Sequence, residues 1–532
     1  MVVSVTLAKL LGLIYVVPLT RLIHTEGFGI YSNAYSLYVI LLTLSTAGFP
    51  TAMGKLVSER LALKNYVEVE YLYRATMRIV LILSTVLFFV MWFGAPLYSH
   101  LVAIKASSVA VSSVTLSIRA LSFALLVVPL MSGLRGYLQG FQLLEPSAYS
   151  QALEQFVRVI AIVLGAYLVM HNGGSVSDGA AAATFGAFVG AVASLIMLIA
   201  AVVPLRKKNS LYAGQVRRLQ RSKHKEILRN LWRVAFPMSL GALVVPISTQ
   251  VDSLTVQNFM IFGGFSFKAA TAAYGTMRQA MQLIQLPLAF AMAIGASIVP
   301  AIAESRVLRD QASINSRING TIRSMFFMTY PVAATLLMLG RPLDQMLFAS
   351  TSGAVIISSV SFMSIFSSLE LISTYMLQGL DNMYRPVRNM FIGVFIKLIL
   401  NILLIIPFHI IGAAIATTIG YLFSSTLNIL AVKKYGNFHF SVWKLSWPFI
   451  AATIPLCGAL AAGDWLGHKI MAPVSHSPSL VASSQVFFAI LIGAIVYLAA
   501  SIWMRAITAS DFQRLPFIGN QMSRLALLLR PE

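Results

Sequence analysis

The chain has 532 residues, of which 58% are hydrophobic and only 11% charged, with a mean hydropathy of +0.81. Soluble domains carry about a quarter charged residues, so the composition excludes a water-soluble globular protein and places the chain in lipid. A net charge of +22 would suit nucleic acid, but roughly 29 of the Lys and Arg fall in one set of predicted loops, about 6 in the other and about 4 inside spans, which is positive-inside bias.

Within hydrocarbon every backbone N–H and C=O needs an internal partner, so spans are helices or strands of a closed barrel. The apolar runs here last about twenty residues without alternation, which suits helices. In chain order they predict fourteen spans near 2–20, 29–52, 75–98, 117–140, 147–170, 180–204, 232–258, 271–299, 322–340, 354–380, 387–408, 411–431, 445–463 and 483–504. Residues 1–20 read as the first span, since they lack a basic n-region and a small-residue cleavage site. Pro407 and Gly412 separate the eleventh span from the twelfth. The even count puts both termini on one side, and the basic loop from Arg206 to Arg233 makes that side cytoplasmic.

Tyr137-Leu-Gln-Gly-Phe-Gln-Leu-Leu-Glu-Pro146 and Met376-Leu-Gln-Gly-Leu-Asp-Asn-Met-Tyr-Arg-Pro386 both close a span with Leu-Gln-Gly and open the next after a proline. The shared offset carries the fourth helix onto the tenth, and Tyr31 close to Tyr274. Two six-helix halves follow: an N-lobe over 1–205, a basic loop over 206–231, a C-lobe over 232–432, and two further helices with a tail over 433–532. Duplicated halves are a transporter architecture, because one half can rock against the other.

An ionised side chain at mid-bilayer costs about 2.5–3.5 kcal/mol on insertion scales, so each needs water, a partner or a snorkelling route. Lys9 and Arg278 sit among apolar neighbours with no acid at i±3 or i±4. Tyr274, Arg278, Gln282 and Gln285 recur at helical spacing as one polar stripe. A basic, hydrogen-bonding wall of this kind suits an anionic phosphate or diphosphate. The bland reading is Lys9 snorkelling and Arg278 pairing with a neighbouring helix. Glu154 and Arg158, at i and i+4, neutralise each other as a structural pair. Asp252 has no basic residue in its own helix and is either a partner for Arg278 or Lys9, or a site for a proton or Na⁺. Arg135, Gln139 and Gln142 form a further polar face, and Glu370 and Lys397 are isolated in apolar runs.

Gly48-Phe-Pro-Thr-Ala-Met-Gly54-Lys55-Leu56 imitates a phosphate-binding loop, but five residues separate its glycines and Leu56 replaces the Ser or Thr that would reach Mg²⁺. The single cysteine, Cys457, excludes an internal disulfide. The histidines lack metal-ligand spacing, and no nucleophile triad or carboxylate pair points to an enzyme.

The stretches Ala8-Lys9-Leu-Leu-Gly12, Pro18-Leu-Thr-Arg21-Leu-Ile, Gly29-Ile-Tyr31, Leu44-Ser-Thr-Ala-Gly48-Phe-Pro50, Leu134-Arg135-Gly-Tyr-Leu-Gln139-Gly, Pro146 through Arg158, Pro237 through Asp252, Tyr274-Gly275 and Gly412-Ala-Ala-Ile-Ala-Thr417 span nearly the whole chain. Together they resemble the stage V sporulation protein B and lipid II flippase group of the multidrug/oligosaccharidyl-lipid/polysaccharide exporter superfamily. The resemblance implies an all-α membrane fold of two pseudo-symmetric six-helix lobes in a V, with two C-terminal helices appended. It implies alternating access for a polyprenyl-diphosphate-linked saccharide, without nucleotide, nucleic acid or enzymatic chemistry. Lys9 falls where the group carries a first-helix arginine and Arg278 in the helix that supplies another, and Arg21 is counted with them as a substrate contact. Tyr15 and Leu42 stand near two other arginine positions of the group. Some members bind Na⁺ between helices seven, eleven and twelve, where Asp252, Asn401 and Thr417 fall as ion-coupling candidates, with Ile405 in place of one acid. Coupling by Na⁺ or H⁺ with no other cofactor is therefore expected, in a monomer that meets membrane lipids, its lipid-linked cargo and wall or spore-wall synthesis proteins. A drug/cation antiporter of the same superfamily and a non-transporting scaffold for envelope assembly are the alternatives.

Overall fold

The computed structural model describes residues 15–46, 48–102, 107–209, 242–436 and 441–506, with isolated positions 12, 104, 229, 231, 235 and 239 between them. The described residues form helices and no strand. In chain order these are α1 (Val16–Thr46), α2 (Phe49–Ala62), α3 (Tyr66–Val102), α4 (Ser108–Gly140), α5 (Leu144–His171), α6 (Val176–Asn209), α7 (Val244–Phe262), α8 (Phe267–Leu283) and α9 (Gln285–Val307). There follow α10 (Gln311–Met338), α11 (Gly340–Phe348), α12 (Ala354–Ser359), α13 (Met363–Gly379), α14 (Tyr384–Gly436), α15 (Val442–Met471) and α16 (Pro478–Trp503). Among the described residues ten stretches are long and apolar enough to cross a membrane, two of them joining α8 with α9 and α12 with α13, or eleven if α10 and α11, bent by 83°, make one span. Lys9, and most of the first span and of the 206–233 loop, lie outside the described residues.

Two of the long helices are each broken at a reversal of the chain. In α1 the chain turns at His24 (φ 55°), and Tyr15 then reaches Tyr31, hydroxyl to hydroxyl, at 3.1 Å. In α14 it turns at His409 (φ 53°), two residues past Pro407, so that Gly412 meets Leu404, Gly420 meets Gly393 and Asn428 meets Asn389 as an antiparallel pair. The expected break between Pro407 and Gly412 is thus a hairpin. The second span ends at Thr46, earlier than expected, and the sequence that imitates a phosphate loop is the start of the separate helix α2.

The lipid environment inverts the usual pattern of burial. Along α3, Val69, Leu72, Thr76, Val80, Ser84, Leu87, Met91 and Ala95 recur every three or four residues and are buried. The opposite face, with Ile82 65% exposed and Phe93 71% exposed, is equally apolar. Only a helix with hydrocarbon on one side and protein on the other tolerates both.

The chain divides into two compact units, Met1–Gly275 and Thr276–Glu532, the division falling within α8. In the first, small residues let backbones touch: a Cβ on Gly29 would lie 2.2 Å from the Thr271 carbonyl oxygen, and one on Gly275 2.0 Å from that of Thr25. In the second, α13 packs on α9, α10 and α14, and α15 on α16. The Leu-Gln-Gly repeat is also a repeat of geometry. After α4, Gln142 takes φ 61° and Leu143 N–H donates to Leu138 O; after α13, Asp381 takes φ 64° and Asn382 N–H donates to Leu377 O. Each pairing closes the end of its helix in the same way.

Candidate functional site: buried charge in the two units

In the first unit the charged centre is built on three helices. Ser150, Glu154 and Arg158 follow one another at four-residue steps on α5, so they share a face. Facing them on α6 are Gly186, Gly190 and Ser194 at the same step; a Cβ on Gly190 would lie 2.7 Å from both Glu154 O and Arg158 Cβ. Glycine there is what lets α5 bring a guanidinium and a carboxylate against α6. From α4, Arg135 enters with Nη2 at 2.8 Å from Glu154 Oε2, and donates further to Ser150 Oγ and Ser194 Oγ at 3.0 Å each. Arg158 Nη2 donates to the other oxygen, Glu154 Oε1. Ser194 passes its own proton to Ser150 O at 3.0 Å.

Glu154 and Arg158 therefore do not form a self-contained pair. Two guanidiniums share one carboxylate, and the cluster keeps a net charge of +1. Glu154 lies about 15 Å along α5 at 1.5 Å per residue, away from both ends of this apolar helix. Among the described residues Arg158 Nε is buried without a hydrogen-bond partner, as is the Tyr38 hydroxyl. Tyr31, Tyr35 and Tyr38 all lie within electrostatic reach of Arg158. Their rings step along α1, with centroids 5.8 Å apart from Tyr31 to Tyr35 and 5.6 Å from Tyr35 to Tyr38. In the same unit Asp252 is 1% exposed on α7 and engaged within the protein. Its neighbour Ser253 donates to Asn33 Oδ1 at 2.8 Å and meets Tyr98 at 2.9 Å. Arg21 is exposed beside a groove of about 660 Å³ whose far wall is Val159, Val163 and Tyr167 of α5.

The polar stripe on α8 is graded along its length. Tyr274 is fully buried, Arg278 and Gln282 are half-buried, and Gln285 is exposed and opens α9. The interruption has a local cause: Pro287 has no N–H to give to residue 283, so α8 closes at Leu283. In the second unit Arg278 Nη1 approaches Met281 Sδ at 3.8 Å, and its Nε is buried without a partner. No carboxylate lies within ion-pair distance of it among the described residues. Asn401 is fully buried and Thr417 nearly so, the Thr417 hydroxyl donating to Ala413 O at 2.9 Å and keeping its lone pairs. Ile405, also fully buried, offers no side-chain oxygen. No group of three His, Cys, Asp or Glu suited to a metal occurs among the described residues. An apolar groove of about 560 Å³ runs between α10, α13 and α15, lined by Phe326, Tyr330, Phe362, Phe366, Trp443 and Ile454.

A family model described as polysaccharide biosynthesis protein matches residues 1–306, more than half of the chain. The chain belongs to this family. Against individual polysaccharide biosynthesis relatives, it is 29% identical over 450 residues to the lipid II flippase MurJ of Bacillus subtilis (strain 168), covering 82% of each protein. It is 25% identical over 525 residues to stage V sporulation protein B of the same organism, covering 97% of this chain and 96% of that protein. Among solved structures, lipid II flippase MurJ in an inward closed conformation matches with a TM-score of 0.68 at 16% identity, over 94% of this chain and 98% of that one. An inward-facing multidrug resistance MATE family transporter of the MOP superfamily matches at 0.65 and 15% identity, over 81% and 94%. The fold is accordingly the multi-pass helical fold of these transporters, with its pseudo-symmetric repeat and two C-terminal helices.

Within this family member, sequence reading found Glu154 and Arg158 by their four-residue spacing but assigned Arg135 to a separate polar face. Arg135 precedes Glu154 by nineteen residues across a turn, and no periodicity reports such a contact. The tyrosines at 31, 35 and 38 carried a usable signal, since their spacing puts them on one face of α1.

Proposed function

We propose that this protein flips a polyprenyl-diphosphate-linked saccharide across the cytoplasmic membrane by alternating access, with lipid II as the first candidate cargo and a capsule or spore-wall precursor as the second. The supporting observation is surplus buried guanidinium: two arginines on the single carboxylate of Glu154, and Arg278 with no acid beside it among the described residues. A diphosphate is the anion that such donors suit, because guanidinium grips phosphate oxygens through parallel bonds. The names of the relatives point the same way, one a lipid II flippase and the other a sporulation protein. The groove lined by Phe326, Phe362 and Trp443 has the apolar character that a polyprenyl chain needs.

In this reading Lys9, Arg21, Tyr274, Arg278, Gln282 and Gln285 contact the head group, Arg158 adds a charge that sequence reading had spent on a structural pair, and Asp252, Asn401 and Thr417 serve ion coupling. No bond is made or broken. The two six-helix halves and the C-terminal pair are the working parts, with both termini cytoplasmic.

Complementation tests the reading. Cells depleted of their own lipid II flippase should survive on this chain and should fail on Arg278→Ala expressed at equal membrane level, with Arg278→Lys rescuing partly. Failure of the well-expressed parent chain would move the cargo to a capsule or spore-wall precursor. Full function of the Lys9→Ala, Arg278→Ala double variant would refute the basic-cavity account.

A further inference from the structure

The second unit contains a carboxylate that the flippase reading leaves without a task. Glu370 lies on α13 with 6% of its surface exposed, about 14 Å from that helix's end at Gly379, at 1.5 Å per residue. Among the described residues no lysine, arginine or histidine pairs with it. Its hydrogen-bond partner is neutral: Thr374 Oγ1 donates to Oε1 at 3.0 Å.

That partner ends a chain of donors. Arg388 donates to Asn389 Oδ1 through Nε at 3.4 Å and Nη2 at 3.1 Å. A guanidinium can only donate, so Asn389 must present its oxygen there and its amide nitrogen on the other side. That nitrogen donates to Asn428 Oδ1 at 2.9 Å, which leaves Asn428 Nδ2 to donate to Thr374 Oγ1 at 3.2 Å. Thr374 Oγ1 then donates its hydrogen bond to Glu370 Oε1. Arg388 thus fixes the direction of every link, and all of them aim hydrogen at the carboxylate. Asn389 and Asn428 are both fully buried, and the two halves of the α14 hairpin supply them.

Several charged and titratable groups on the helices around α13 have other partners. On α9, Arg306 donates to Leu380 O at 3.0 Å and lies 3.6 Å from Asp381, and Glu304 meets Arg317 of α10 at 3.9 Å. On α10, Arg323 donates to the carbonyls of Arg505 and Ala506, and Tyr330 bonds Ser446. On α14, Lys397 is buried and engaged within the protein. Tyr375, on α13 itself, packs against Gly295 of α9.

We propose that Glu370 is a proton-binding site of the C-terminal unit, taking up and releasing one proton as α13 shifts against the α14 hairpin. A buried membrane carboxylate without a counter-charge is costly when ionised and is tolerated where it exchanges a proton. The set around it fits a proton and not a metal ion, since donors face the carboxylate where a cation would need oxygen lone pairs. When Glu370 is ionised, Thr374 donates to it and the chain is complete. When it is protonated on Oε2, Oε1 remains a carbonyl acceptor for Thr374, so the last link persists but loses its charge assistance. Proton uptake thereby loosens the tie between α13 and both arms of α14.

The proposal rests on the flippase reading for its use but not for its test. Infrared titration of the full-length protein in lipid nanodiscs, from about pH 5 to about pH 9, should show a protonated-carboxyl band in the parent that is lost in Glu370→Gln and displaced in Glu370→Asp. Identical titrating bands in the parent and Glu370→Gln would overturn the site. In proteoliposomes, flipping of lipid II should respond to an imposed pH gradient in the parent and not in Glu370→Gln. An equal gradient response in both would refute the coupling while leaving the flippase reading intact. A Glu370 band in a protein that flips no lipid-linked saccharide would fail that reading and leave the proton site standing.

Discussion

Replacing Glu154 by Gln should destabilise the first unit more than removing either of its arginines. The parent cluster holds two guanidiniums and one carboxylate, all three side chains between 12% and 16% exposed. Glu154→Gln raises the buried charge from +1 to +2 and turns an amide N–H toward one of the guanidiniums. Removing one partner of a buried pair costs about 3–5 kcal/mol, a large part of the ~5–15 kcal/mol that folded domains possess. Arg158→Gln instead leaves a neutral pair with Arg135 still on Glu154, Ser150 and Ser194, and costs about 1.5–3 kcal/mol for one charge-assisted hydrogen bond. The double variant returns the charge to +1, with Arg135 still held by the two serines, so it should be more stable than Glu154→Gln alone. Thermal unfolding of the purified proteins in nanodiscs, followed by tryptophan fluorescence, gives the order. Glu154→Gln matching Arg158→Gln, or a double variant less stable than Glu154→Gln, would mean that this carboxylate is not the counter-charge. Arg158→Gln should also impair flipping while folding, because it removes the spare charge proposed for the cargo.

Gly275→Ala places a Cβ 2.0 Å from Thr25 O; overpacking of this kind costs about 1–3 kcal/mol, and a lower midpoint than the parent is expected in the same unfolding assay. Asp310 accepts from Ser313 N–H at 2.9 Å at the start of α10, and that bond holds its carboxyl below the usual carboxylate range. A folded pKa below the unfolded one gives stability that is present above the unfolded value and is lost as pH falls through the folded one. Protection of the amides of residues 311–314, taken relative to the intrinsic exchange rate at each pH, should thus fall on acidification, and should be lower in Asp310→Ala than in the parent where Asp310 is ionised. In a Cys457-free background, a cysteine at 220 should resist an impermeant reagent added outside intact cells, and one at 174 should react; the reverse pattern would overturn the assigned orientation.

Composition and local spacing determined that this chain spans a bilayer, and roughly where. Every backbone group in lipid must bond within its own segment, so a span is written in contiguous residues such as 75–98 or 147–170 and needs no distant partner. The duplicated Leu-Gln-Gly ends were legible for the same reason, since a helix closure is made by neighbours: Leu143 N–H on Leu138 O, and Asn382 N–H on Leu377 O. Glu154 with Arg158 was legible as a four-residue pair.

What tertiary structure alone decided is which buried charges are balanced. Periodicity assigns a residue to a face but does not say which helix that face meets. Arg135 comes to Glu154 across a turn, Arg206 to Glu70 across 136 positions at 2.8 Å, and Arg388 to Glu370 through Asn389, Asn428 and Thr374. Glu370 looked like an isolated acid in sequence, and Glu154 looked neutralised. Folding gave Glu154 a second guanidinium, and Glu370 a line of donors but no countercharge among the described residues, because Coulomb and hydrogen-bond energies depend on distance through space and not on separation along the chain.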